Sequence, residues 1–169
     1  MFENIASHTN FILSAVLLGT GATIIMDIWA LLLKVVFNIP SLNYALVGRW
    51  LGYMPKGQFL HDNINTSSPI KGEAVIGWTA HYLIGVIFAA VLLLLMGLSW
   101  LESPDPIPAL VTGVLTVVFP YLVMLPGFGM GVAASKVENA HVAQFKSLMA
   151  HTAFGVGLYT SAILANWIF

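Results

Sequence analysis

The stretch Ala74-Val-Ile-Gly-Trp-Thr-Ala-His-Tyr-Leu-Ile-Gly-Val-Ile-Phe-Ala-Ala-Val-Leu-Leu-Leu-Leu-Met-Gly-Leu98 decides the architecture. It holds no Asp, Glu, Lys or Arg, and it outruns the about 20 helical residues that a hydrocarbon core requires. Amides in lipid have no water to bond, so such a run satisfies them internally as a helix. Working outward, three more stretches qualify. Phe11–Leu33 is interrupted only by Asp27, and Ile107–Pro126 and Ser147–Phe169 are uncharged. The ten-residue alternation of a membrane barrel is absent. The sequence therefore predicts an all-α fold: a polytopic membrane protein, a four-transmembrane-helix bundle forming one domain over 1–169.

Composition agrees. Of 169 residues, 59% are hydrophobic and 8% charged, against about 25% charged in soluble domains. So few charges cannot solvate a water-facing surface, which makes the lipid bilayer the expected partner. A net charge of −1 argues against nucleic acid, which calls for a basic face. With no Cys, disulfides and thiolate metal sites are excluded. The first span is expected to be retained rather than cleaved, because residues 1–10 carry no Lys or Arg and the apolar run contains an acid.

Lys34, Arg49, Lys56 and Lys71 fall in 34–73, and Lys136 and Lys146 in 127–146. The positive-inside rule puts these two loops in the cytoplasm and both termini outside. The link 99–106 carries Glu102 and Asp105 instead. Trp100 and Trp167 suit the outer interface, Trp50 and Trp78 the inner one.

Within loop 34–73, Leu46, Val47, Trp50, Leu51 and Met54 recur at helical spacing after Ser41, a candidate N-cap. A short interfacial helix is expected, either lying on the inner leaflet or packed under the bundle. The polar stretch 58–69 reads as irregular. Gly127, Gly129 and Gly131 after Pro126 read as a flexible exit from the membrane, with a hinge as the alternative.

Spans two and four share a pattern. Gly77-x-x-Ala80-His81-x-x-x-Gly85 matches Ser147-x-x-Ala150-His151-x-x-x-Gly155. A two-helix tandem repeat would explain it, and so would convergent packing.

Asp27, His81 and His151 are the deepest ionisable groups. Counting 1.5 Å per residue from the cytoplasmic ends puts them within roughly 5 Å of one level. Each lies on a stripe of small residues: Thr23 with Asp27, Gly77 and Gly85 with His81, Ser147 and Gly155 with His151. An ionised Asp facing lipid costs at least about 2.5 kcal/mol, so Asp27 should turn inward to the imidazoles. Pro120 should kink span three and free a carbonyl near this level, where Tyr121 also lies. Four readings stay open: polar glue between helices, proton-linked or small-ligand handling, a cofactor (divalent metal or bis-His haem b on Asp27, His81 and His151), and catalysis. No Ser-His-Asp order, HExxH or P-loop is present, so enzyme chemistry is the weakest of these. His8, His61 and His141 read as solvated. Four spans are few for a monomeric transporter, so transport implies a homo-oligomer.

The runs Gly19-Thr-Gly-Ala-Thr-Ile-Ile-Met-Asp27-Ile-Trp-Ala30, Ile39-Pro-Ser-Leu-Asn-Tyr-Ala-Leu-Val-Gly-Arg-Trp-Leu-Gly52, Gly77-Trp-x-x-His81-Tyr-x-Ile-Gly85 and Leu125-Pro-Gly-x-Gly-x-Gly131 resemble an uncharacterised bacterial membrane family, domain of unknown function 2938. The resemblance extends over the full length. It implies a four-span bacterial inner-membrane protein and brings no catalytic or binding residue with it.

Overall fold

A computed structural model describes the backbone of residues 2–168 and the side chains of 10–165 and 167. The described residues form helices and no strand. In chain order these are α1 (Phe2–Phe37), α2 (Tyr44–Tyr53), α3 (Glu73–Met96), α4 (Pro106–Leu115), α5 (Leu125–Gly127) and α6 (Ala140–Ile168). Four helical segments are long and apolar enough to cross a membrane: Asn10–Phe37, Glu73–Met96, Pro106–Gly127 and Ala140–Ala165. The last begins before the uncharged run, because the two polar turns carrying His141 and Lys146 are helical too.

Small residues set the packing. α1 is central and lies against α3 and α6, while α4 lies against α6 and meets α3 sparingly. At the α1–α3 crossing Gly19 faces the backbone of Gly85 and Val86. At the α4–α6 crossing Gly113 faces the backbone of Gly155. Close backbone approach maximises dispersion contact where lipid removes the hydrophobic drive between helices. The two crossings are built alike. In each, the glycine four residues after the histidine meets a glycine of the preceding span. In each, a threonine hydroxyl donates to that second glycine's carbonyl: Thr23 to Gly19 at 2.7 Å, Thr116 to Gly113 at 2.6 Å. The tandem pattern of the sequence thus has a counterpart in packing.

One core, including Leu18, Ala22, Leu92, Phe154 and Leu158, fills the half of the bundle nearer the 97–105 link. Trp100, expected at the outer interface, is buried against it, whereas Trp167 is exposed. A second core of Val47, Trp50, Ile64 and Phe128 closes the opposite end.

That second core corrects several expectations. α2 is capped by Asn43, not Ser41: its side chain accepts the Ala45 N–H at 3.1 Å, a role Asn fills as well as Ser. Of its two anticipated placements, α2 takes the packed one, with Gly48 and Gly77 bringing the α2 and α3 backbones together. The 58–69 stretch is irregular but tied down. Its His61 and Ile64 amides donate to the carbonyls of Gly127 (3.0 Å) and Phe128 (3.1 Å), and the Trp50 indole donates to Phe59 (2.8 Å). The 127–131 glycines therefore make a packed corner rather than a flexible exit. Gly129, at φ 85°, lies against the backbone of His61 and Asp62, where neither a Cβ nor an ordinary φ fits. His61 is buried, not solvated, with Nδ1 2.9 Å from the Ser67 hydroxyl. His141 is exposed as expected, and the side chain of His8 lies outside the described residues.

Arg49 ties this end to α3. Its guanidinium makes a two-pronged ion pair with Glu73, 2.8 Å on each arm, and donates to the carbonyls of Ile64 (3.2 Å) and Ser67 (3.0 Å). The Glu73 carboxylate raises the Arg49 pKa above its already high value. Because the corner binds 58–69 to 127–128, the two loops that carry the basic residues share one end of the bundle.

Candidate functional site

Asp27 and His81 meet. His81 Nε2 lies 3.0 Å from Asp27 Oδ1, and the Tyr82 hydroxyl donates to Oδ2 at 3.0 Å. Consecutive residues on α3 thus flank one carboxylate of α1, and both its oxygens are engaged inside the protein. The ring of His81 stacks on Tyr44 of α2 (centroids 4.1 Å apart), and Trp78 approaches it edge-on at 5.8 Å. Burial first, then the nearby Asp27 carboxylate, pushes the Tyr44 phenol well above its ordinary pKa, so it stays neutral.

His151 does not bond to Asp27. Its Nδ1 lies 2.7 Å from the Thr116 hydroxyl. The span-three break explains this. Pro120 has no N–H for the Thr116 carbonyl, yet that carbonyl is not freed, because the Phe119 N–H takes it at 3.1 Å. The adjustment tightens the preceding turn, so the Val117 N–H bonds Val114 instead of Gly113. The Gly113 carbonyl, left without its helical donor, receives the Thr116 hydroxyl. That hydroxyl has one proton, so it accepts from His151 Nδ1–H. The neutral ring then carries its lone pair on Nε2. A π-helical turn over Pro120–Met124 restores the helix.

Both histidines line one cavity of about 660 Å³, walled by all four spans, with α2 and the 39–42 segment along its edge. This is the size range of small-molecule sites. Its polar lining comes from Thr23, Ser41, Tyr44, Thr116, Lys146, Ser147 and the two imidazoles, and among the described residues no Asp or Glu lines it. Phe88 meets Phe119 and Phe154 edge to face at 6.1 and 6.4 Å on its wall. Trp29, whose indole N–H is buried without a partner among the described residues, lines both this cavity and a lipid-side groove between α1 and α6.

Of the residues singled out from sequence, Thr23, Gly85, Pro120 and Ser147 join His81 and His151 on the cavity wall. Gly77 and Gly155 serve helix crossings, and the Tyr121 hydroxyl donates to the Gln144 carbonyl at 2.7 Å. For a metal, no group of three or more His, Cys, Asp or Glu is suitably placed among the described residues. For a bis-His haem, His81 Nε2 would have to leave Asp27. The sequence reading missed Tyr44, Tyr82 and Lys146. Tyr82 was signalled by its place beside His81. Tyr44 and Lys146 gave no local signal, since their positions depend on how α2 and α6 dock.

The geometry thus defines a class: a bundle of four helices long and apolar enough to cross a membrane, with a cavity edged by two histidines. The chain belongs to the DUF2938 family, a protein of unknown function, whose model matches residues 16–165. No curated protein and no solved structure matches it.

Proposed function

We propose that this is a multi-pass protein of the bacterial inner membrane that binds a small, largely apolar ligand inside its bundle and exchanges protons with it at His81 and His151. One observation carries the reading: imidazoles from two different helices edge a single, otherwise mostly apolar cavity. Apolar walls with a few convergent polar groups are what small-ligand sites have in common. Imidazole is the side chain best suited to trading protons near neutral pH. Asp27, behind His81, supplies the carboxylate that orients its ring. If the ligand is carried across the bilayer, four spans would act as a homo-oligomer.

One fact favours a second reading, in which the polar groups only hold helices together. Asp27 is satisfied by His81 and Tyr82 and does not line the cavity. The readings part on purified protein in lipid nanodiscs. Under ligand binding, native mass spectrometry of the wild type finds a retained small molecule. Ala150→Trp, which fills the cavity, and His151→Gln lose it while keeping helicity. Under the structural reading, these variants retain what the wild type retains. Asp27→Leu and His81→Leu then each cost about 1–2 kcal/mol, and the double variant recovers most of that.

Orientation is tested separately, and the absence of Cys makes the test clean. In spheroplasts, an impermeant maleimide should label Ser103→Cys at once, and Gln58→Cys only after lysis. The reverse pattern overturns the proposed topology.

A further inference from the structure

We propose that the ligand is an anionic amphiphile, a carboxylate or phosphate head on a hydrocarbon body, with the head seated by Lys146. This rests on the ligand-binding reading above and specifies its ligand. Ala143, Lys146, Ser147, Ala150, His151 and Phe154 share one face of α6 along the cavity. The residues on that face grow less polar in order, from Lys146 through Ser147 and His151 to the buried Phe154. Among the described residues Lys146 makes no ion pair, and no carboxylate lines the cavity wall to neutralise it. Lys146 lines the cavity, and its ammonium, turned toward it, would gain most from an anion brought by the ligand.

His151 extends the match. Its neutral ring offers a lone pair at Nε2, set by the Thr116 bond to Nδ1. A protonated head would give its O–H proton to Nε2, leaving an imidazolium beside a carboxylate or phosphate that Lys146 also contacts. The hydrocarbon body runs toward Phe88 and Phe154. Trp29 forms the wall shared with the apolar lipid-side groove, where such a molecule is at home.

The test uses photoreactive diazirine analogues of dodecanoate, dodecyl phosphate and dodecanol, equal in chain length, on protein in nanodiscs of zwitterionic lipid. Labelled peptides are mapped by mass spectrometry. The anionic probes should label cavity residues on α1, α3 and α6 about tenfold more efficiently than the alcohol. Lys146→Gln should remove that preference without changing labelling by the alcohol, and Lys146→Arg should keep it. The ratio of carboxylate to phosphate labelling tells a fatty-acid-like ligand from a phospholipid-like one. Equal cavity labelling by all three probes overturns the anionic head but leaves the ligand-binding reading standing. A preference that survives in Lys146→Gln overturns Lys146 as the seat of the head and also leaves the ligand-binding reading standing. No cavity labelling by any probe overturns both.

Discussion

Glu73→Ala is expected to destabilise the protein by about 3 kcal/mol, because it strands a buried guanidinium. Arg49 is 8% exposed, and its two carbonyl partners, Ile64 and Ser67, cannot neutralise it. The same substitution removes the acceptor of the Ile70 N–H, which Glu73 Oε2 holds at 3.0 Å. The loss should be regional. Hydrogen exchange should rise across 44–70 and at Gly127 and Phe128, which the corner bonds, and not at the Leu18–Leu158 core. Limited proteolysis should open first within 57–72. Glu73→Gln keeps an acceptor and the shape, so it should cost less. A Glu73→Ala protein with unchanged melting and unchanged protease resistance would show that Arg49 is solvated in the native state, contrary to its contacts.

Gly113→Val should exceed about 3 kcal/mol, above the ordinary range for overpacking. A Cβ on Gly113 would sit 2.7 Å from the His151 carbonyl oxygen and closer still to the Gly155 backbone. Flexible side chains can yield to a clash, but two helix backbones can only separate. Separation would also pull Thr116 from His151 and so release the ring that edges the cavity. Gly57→Ala is the control. Its φ of 77° makes alanine unfavourable by about 1 kcal/mol, but open space surrounds it. Unfolding titrations should place Gly113→Val far below Gly57→Ala. Equal stabilities would mean that α4 and α6 do not cross at these glycines.

Some of this was legible in the sequence for a reason tied to the solvent. A run of apolar residues long enough for a hydrocarbon core reports its surroundings without knowledge of its neighbours. The 74–98 run therefore announced a helix matching Glu73–Met96. The pairing of Asp27 with His81 was legible for a related reason. Helical rise is constant, so depth can be counted along the chain, and a carboxylate in lipid has few places to turn.

Rotation and register are different. His151 meets Thr116 rather than the expected Asp27, because the Pro120 break brings the Thr116 hydroxyl within reach. His61 was read as solvated because its neighbours are polar. Its burial comes from the 127–131 corner, more than sixty residues along the chain. Arg49 and Glu73 were ordinary loop charges until α2 docked through Gly48 and Gly77. By itself, then, the sequence determined the long apolar helices and the order of the few ionisable groups along them, since both follow from local hydropathy and a fixed rise per residue. Tertiary structure alone decided which groups touch and that a cavity lies among the four spans. Those depend on how each helix is turned about its axis, which is set by backbone contact at glycines far apart in the chain.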